Sequence, residues 1–122
     1  MPNALDDFVE RYVDLWNEPD RGVRRQRVED LWAPGGSNAT PSLEAVGFDQ
    51  IEARVASSYA NYVGTGVHRF RLARPAAAHH GAVVVPWEMV VVDGGTVASV
   101  GFEFLMLDGT PKIVSDHQFL LA

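Results

Sequence analysis

The feature that most constrains the fold is a change of hydrophobic period near Val67. Before it, apolar residues recur at the three-and-four spacing of helices with one buried face; after it, extended apolar runs alternate with short turn sequences. Leu5, Phe8, Val9, Tyr12, Val13 and Trp16 form a first stripe, and Asp6 and Asp7 suit the positive N-terminal end of that helix. Asn17-Glu18-Pro19-Asp20 breaks the pattern, and Val23, Val28, Leu31 and Trp32 resume it as a second helix that Pro34-Gly35-Gly36 should stop. Asp49 and Glu52 have capping-box spacing, and Ile51, Val55, Ala56, Tyr59 and Val63 make a third stripe ending at Gly64. Between these last two helices, residues 37–46 have little periodicity and read as a loop with a short extended piece.

The extended runs are 67–78, 82–92, 96–107 and 112–121, separated by His79-His80-Gly81, Asp93-Gly94-Gly95 and Asp108-Gly109-Thr110-Pro111. Separators this short make hairpins, so the strands should be antiparallel neighbours. Helices first and a meander second is the α+β pattern. We therefore expect a cone: three N-terminal helices closing over a curved antiparallel sheet around one pocket. At 122 residues the chain fits a single domain over 1–122.

The formal net charge of −6 argues against binding to a phosphate backbone, which needs clustered Lys and Arg, so no nucleic-acid partner is expected. Arg21, Arg24, Arg25 and Arg27 lie together beside Glu29 and Asp30 and read as a solvated helix face. With no cysteine, there is no disulfide, thiolate metal site or cysteine nucleophile. The first ten residues lack a basic start and an apolar core, and the most apolar stretch, 82–92, is broken by Pro86 and Glu88. Neither export nor membrane insertion is expected, and the cytoplasm is the expected location.

The hairpin registers select the candidate chemistry. If Leu107 and Lys112 flank the last connection, Glu103 lies opposite Asp116 on one face. In the preceding hairpin, a connection through Asp93-Gly94-Gly95 sets Val85 opposite Glu103 and Trp87 opposite Gly101. Trp87, Met89, Glu103, Leu105 and Asp116 then share the concave side. Two acids side by side in a partly apolar enclosure cannot both ionise easily, and one shared proton equips them for acid and base work. The alternative is an open rim, with both acids solvated or paired with Arg or Lys.

The other face would carry Val84, Val90, Val100, Phe102, Phe104, Met106, Ile113 and Phe119, too apolar to stay wet, so we expect a homodimer through the outer sheet face. Trp16, Trp32, Tyr59 and Trp87 can line a pocket for a flat ligand, but aromatic residues at helical or strand spacing are more often core, and Trp87 is the one retained as a pocket wall. His117 alternates with Asp116 and points away from it. The adjacent His79 and His80 in a tight turn make a poor metal site, and no metal or cofactor is expected.

The segments 8–17 (FVERYVDLWN), 46–51 (VGFDQI) and 101–104 (GFEF), followed by Asp108-Gly109 and Lys112-Ile113, together resemble the NTF2-like superfamily, in its SnoaL-like and ketosteroid-isomerase-like branch. The resemblance spans nearly the whole chain. It implies that Tyr12 matches the helix-one tyrosine of an oxyanion hole and that Glu103 takes the strand-acid position. The loop base of the ketosteroid isomerases falls near Thr40, where no carboxylate stands. In limonene-epoxide-hydrolase-like members an arginine precedes the strand acid by two residues; Gly101 is there instead, while Asp116 can represent their second acid. SnoaL-type cyclases need a pocket carboxylate alone.

The sequence thus leads to a cofactor-independent enzyme of isomerase, cyclase, dehydratase or hydrolase type, acting on a small, mainly apolar molecule. Glu103, Asp116 and Tyr12 would carry the chemistry; Trp87, Trp16, Tyr59, Met89 and Leu105 would line the pocket. The alternative is a module that binds a ligand without turnover or serves to dimerise.

Overall fold

The computed structural model describes residues 3–121, and within them three helices pack on one curved, unclosed sheet of seven strands. The helical stripes become α1 (Ala4–Leu15), α2 (Arg21–Leu31) and α3 (Gly47–Ser58), the last continued by a π-helical turn, Tyr59–Val63, up to Gly64. Asn3 caps α1 by accepting from the Asp6 amide, and Asp20 caps α2 by accepting from the Val23 amide, which satisfies donors a helix start leaves free. At α3 the capping differs from expectation. Gln50, not Asp49, reaches back to the Val46 amide, while Asp49 and Glu52 turn outward to Arg25. The arginine face is split as well: Arg25 is wired into that acidic cluster, but Arg24 is buried under Tyr59 and donates to the carbonyls of Glu18 and Pro19.

The strands are β1 (Trp32–Thr40), β2 (Leu43–Val46), β3 (His68–Leu72), β4 (Ala77–His79), β5 (Ala82–Val91), β6 (Val97–Leu107) and β7 (Ile113–Leu121). Their order is β2-β1-β7-β6-β5-β3, with β4 also on β5. Residues 37–46, expected as a loop, are therefore strand. They form the β1–β2 hairpin, and β1 runs parallel to β7. The signal was hidden because Pro34-Gly35-Gly36 does not end the chain's regular structure; it bends β1. Pairing shifts register between Trp32 and Ser37, Gly35 takes the left-handed φ of 77°, and the Trp32 indole spans the irregularity by donating to the Ser37 carbonyl. The expected run 67–78 is likewise divided into β3 and β4, with Arg74-Pro75 between them.

In the β5–β6 ladder Val85 stands opposite Glu103 and Trp87 opposite Gly101, as expected, although the connection is one residue longer than read and a bulge between Met89 and Val90 restores the register. The β6–β7 register differs from expectation. Asp116 stands opposite Leu105 and Glu103 opposite Gln118, because the connection runs one residue further, to Ile113 opposite Leu107, and a bulge before Ser115 opposite Met106 adds one more. The slip is by two residues, so Glu103 and Asp116 still share a face, now as diagonal neighbours. The bulges also move Ile113 and Val90 off the outer face: both are buried, Ile113 in the main core with Val28, Leu31, Trp32 and Val55. The rest of that face is as expected, with Phe104, Met106 and Phe119 exposed and Phe102 stacked on Phe119 at 5.0 Å.

The candidate active site

Three elements bring the site together. The buried stripe of α1 points Tyr12 at the sheet, β6 presents Glu103, and β7 presents Asp116. The Tyr12 hydroxyl donates to Asp116 Oδ2 at 2.6 Å and lies 3.3 Å from Glu103 Oε1. Trp87 Nε1 donates to Glu103 Oε2 at 2.7 Å, and Asn38 Nδ2 donates to Asp116 Oδ2 at 2.8 Å. Asn38 is in place because the parallel β1–β7 ladder pairs it with Asp116. Glu103 is 3% exposed and Asp116 is 0% exposed, so neither acid sits at an open rim.

Burial sets the ionisation. Desolvation pushes the Glu103 carboxyl well above the usual carboxylate range, and the charge of Asp116 and a hydrogen bond between the two acids add to it. Asp116 is also raised by desolvation, but bonds from Glu103, Tyr12 and Asn38, and the charge of Arg54, oppose that rise. Both carboxyls are raised, Glu103 well above the usual range, so the pair holds one proton in common. Tyr12 is pushed well above its ordinary value by the same burial and by the two acids, so its hydroxyl stays protonated.

The two acids do not stand equally to the cavity. Glu103 is in the wall of a chamber of about 40 Å³, together with Tyr12, Val13, Trp16, Arg54, Ser58, Phe70, Val85, Trp87 and Gln118. Asp116 lies behind that wall. The chamber adjoins an outer cleft of about 530 Å³ through shared residues Arg54, Ser58, Phe70, Trp87 and Gln118, and Met89, Tyr62 and Thr40 line the cleft. Thus Trp16 and Trp87 stand at the chamber and Met89 at the cleft, whereas Leu105 is sealed in the core and Tyr59 packs under Arg24. The Tyr12 hydroxyl, expected to face a substrate oxygen, is turned onto the acids. His117 points away from Asp116 and is exposed.

Sequence reasoning missed Asn38, Arg54, Phe70 and Gln118. Gln118 was within reach, since it is two residues from Asp116 on the same face of β7. Asn38 depended on a pairing remote in sequence, and a single arginine on a helix says nothing of what it faces. Among the described residues no group of three or more His, Asp and Glu side chains is gathered as a metal site, and no helix is long and apolar enough to cross a membrane.

Helices folded over a curved mixed sheet, with an acid pair on its inner side, define an α+β cone. Solved structures with this architecture include a suggested isomerase of the SnoaL-like family from Agrobacterium tumefaciens, at 23% identity and a TM-score of 0.85, covering 95% of this chain and 96% of that one. A suggested polyketide cyclase from Sinorhizobium meliloti is similar at 11% identity and a TM-score of 0.71, covering 93% and 94%. A SnoaL-like protein of unknown function from Burkholderia thailandensis is similar at 13% identity and a TM-score of 0.73, covering 100% and 99%. The fold is therefore the NTF2-like cone. No family model matches the sequence, and no curated protein does either.

Proposed function

We propose that the chain is a cofactor-independent acid–base enzyme for a small, mainly apolar organic molecule, with Glu103 as the catalytic group. The observation that carries this reading is an acid pair in which Glu103, held well above the usual carboxylate range by burial, stands in the wall of an apolar chamber with the fully buried Asp116 behind it. In water a carboxylic acid is ionised at neutral pH; here Glu103 keeps a proton to give. A carbonyl, hydroxyl or epoxide oxygen in the chamber accepts that proton as a bond at carbon rearranges or breaks. The Glu103 carboxylate then takes a proton back from carbon or from water, so the site ends the cycle as it began.

Asp116 and Tyr12 act on Glu103 in this scheme. Asp116 holds the proton on Glu103 by its charge, and Tyr12 fixes the spacing of the acids. Trp87 orients Glu103 and walls the chamber beside Trp16, and Met89 contacts the part of the ligand outside. Isomerisation, cyclisation, dehydration and hydrolysis all use such a group. The suggested activities of the Agrobacterium and Sinorhizobium proteins fall in this range and support the reading at the level of fold. A cytoplasmic setting belongs to the same proposal.

Carbon-detected NMR of labelled Glu and Asp side chains tests it. Glu103 is expected to titrate well above the ordinary range, and a Glu103 that titrates normally removes the acid–base reading. Thermal-shift screening against carbonyl compounds, epoxides and terpenoids, followed by Glu103→Gln, then finds the reaction. One observation favours a second reading, binding without turnover: the Tyr12 hydroxyl, the expected oxyanion donor, is committed to the acids. Stabilisation by a ligand with no product formed would support that reading.

We also propose a homodimer through the outer sheet face, where Phe119 is 47% exposed beside Phe102, Phe104 and Met106. A second copy is the occupant because a two-fold pair buries the same patch twice. Light scattering should give twice the chain mass and Phe119→Lys the single mass; a wild-type monomer at high concentration refutes it.

A further inference from the structure

We infer that the ligand of this site carries a carboxylate, held by Arg54 where the inner chamber meets the outer cleft, while its apolar body lies in the cleft against Phe70 and Trp87. The inference rests on the proposed function for the identity of the site, but its argument starts from a different residue. Arg54, on α3, lines both the chamber and the cleft. Its guanidinium carbon stands 5.2 Å from the centre of the Trp16 ring, and its Nε is buried with no hydrogen-bond partner.

The contrast with the other arginines gives this its weight. In a chain with 16 acidic and 10 basic residues, acceptors for arginine are plentiful. Arg11, Arg21, Arg25, Arg27 and Arg71 each pair with a carboxylate, and Arg24 is satisfied by two backbone carbonyls. Arg69 and Arg74 are exposed to water. Arg54 is half-buried, and among the described residues no carboxylate lies within ion-pair distance of it and no acceptor bonds to it. The charge of Asp116 acts on Arg54, but Asp116 lies behind the chamber wall and does not bond to it, so a half-desolvated cation with no anion in contact has as its natural complement an anion brought by the ligand.

Three further features specify the anion. The guanidinium is a planar fork, which matches a carboxylate with two parallel bonds. The Trp16 ring lies against the guanidinium and holds the fork in place at the neck. The deep end beyond them is Glu103, a proton donor that would receive a neutral oxygen and not a second carboxylate. The ligand thus has an acid group at the neck and a flat apolar body in the cleft, and what reaches the chamber of about 40 Å³ is a small neutral oxygen group. It is an aromatic or cyclic carboxylic acid with a second oxygen function.

Binding of 2-naphthoate and its neutral isostere 2-naphthamide, measured by calorimetry at neutral pH, tests the charge alone. The wild type should bind the acid at least about tenfold more tightly than the amide, as expected of a charge-assisted pair in a partly dry site. Arg54→Gln should bind the two alike, and Arg54→Lys should keep a reduced preference. Equal binding of acid and amide by the wild type, binding of neither, or an undiminished preference in Arg54→Gln overturns the inference. If Arg54→Gln does not fold, the wild-type comparison and Arg54→Lys decide it. The NMR titration of Glu103 is independent: a normal titration with the acid preference intact removes the acid–base reading and leaves the carboxylate site, and the reverse result does the opposite.

Discussion

Gly101→Ala isolates the contact on which the orientation of Glu103 depends. A Cβ at position 101 would stand 2.6 Å from Cζ2 of Trp87, 3.0 Å from its Cε2 and 2.6 Å from the Phe119 carbonyl oxygen. Carbon atoms in good contact stand about 3.5–4.0 Å apart, so the indole must retreat by about 1 Å. Its Nε1 donates to Glu103 at 2.7 Å, and a retreat of that size carries the bond beyond useful range. Overpacking of this kind costs about 1–3 kcal/mol, and a buried acceptor losing its donor costs about 1–3 kcal/mol more. The sum, roughly 2–6 kcal/mol, corresponds in a domain of this length to a fall in Tm on the order of 10–20 °C. Thermal unfolding by circular dichroism measures the loss, and the Trp87 indole proton in a nitrogen-correlated NMR spectrum reports the broken bond. Combining Gly101→Ala with Trp87→Leu should recover part of the loss, since the ring is gone while the carbonyl contact stays. A Gly101→Ala protein within about 0.5 kcal/mol of wild type, with an unmoved indole signal, would refute the close-packing argument.

Three further outcomes follow from the same geometry. Glu103→Gln should change the pH dependence of stability: below the ordinary Glu range both folded and unfolded states hold the proton, and as pH rises the unfolded chain releases it first, so wild-type stability falls until the raised folded value is passed. The variant should lose less stability over that window, and parallel Tm–pH curves would count against a raised Glu103. Asn38→Ala leaves Asp116 with one fewer donor, so Asp116 should rise further and stability at neutral pH should drop by about 1–3 kcal/mol, read from denaturant melts and side-chain NMR. Asn17 donates to the Phe70 carbonyl at 2.7 Å and accepts from the Phe70 amide at 2.8 Å, as a strand residue would. Asn17→Ala should therefore speed hydrogen exchange at the Phe70 amide while exchange in β6 stays unchanged.

Much of the architecture was legible before any coordinates, because local rules govern it. Tyr12 sits on the buried side of α1 since helical spacing with Phe8, Val9 and Leu15 leaves it nowhere else. Val85 meets Glu103 and Trp87 meets Gly101 as the short Asp93-Gly94-Gly95 connection suggests, although the ladder reaches that register through a bulge between Met89 and Val90. Glu103 and Asp116 share a face even though their register was two residues off, because strand periodicity preserves facing under an even slip.

What the chain order alone could not supply came from contacts between segments distant in sequence. Ser37 to Thr40 is strand only because β7 and β2 lie on either side of it, and that pairing delivers Asn38 to Asp116 across a sequence gap no turn encodes. The bulges that bury Val90 and Ile113 are adjustments of one strand to its neighbours, invisible in either strand's pattern. Arg54 gained its place at the chamber neck only when α3 was laid across the sheet, and Asp116 receded behind Glu103 for the same reason. Periodicity determines which side of an element a residue occupies; packing alone decides what waits on that side, and with it whether a charge meets water, a partner or a cavity.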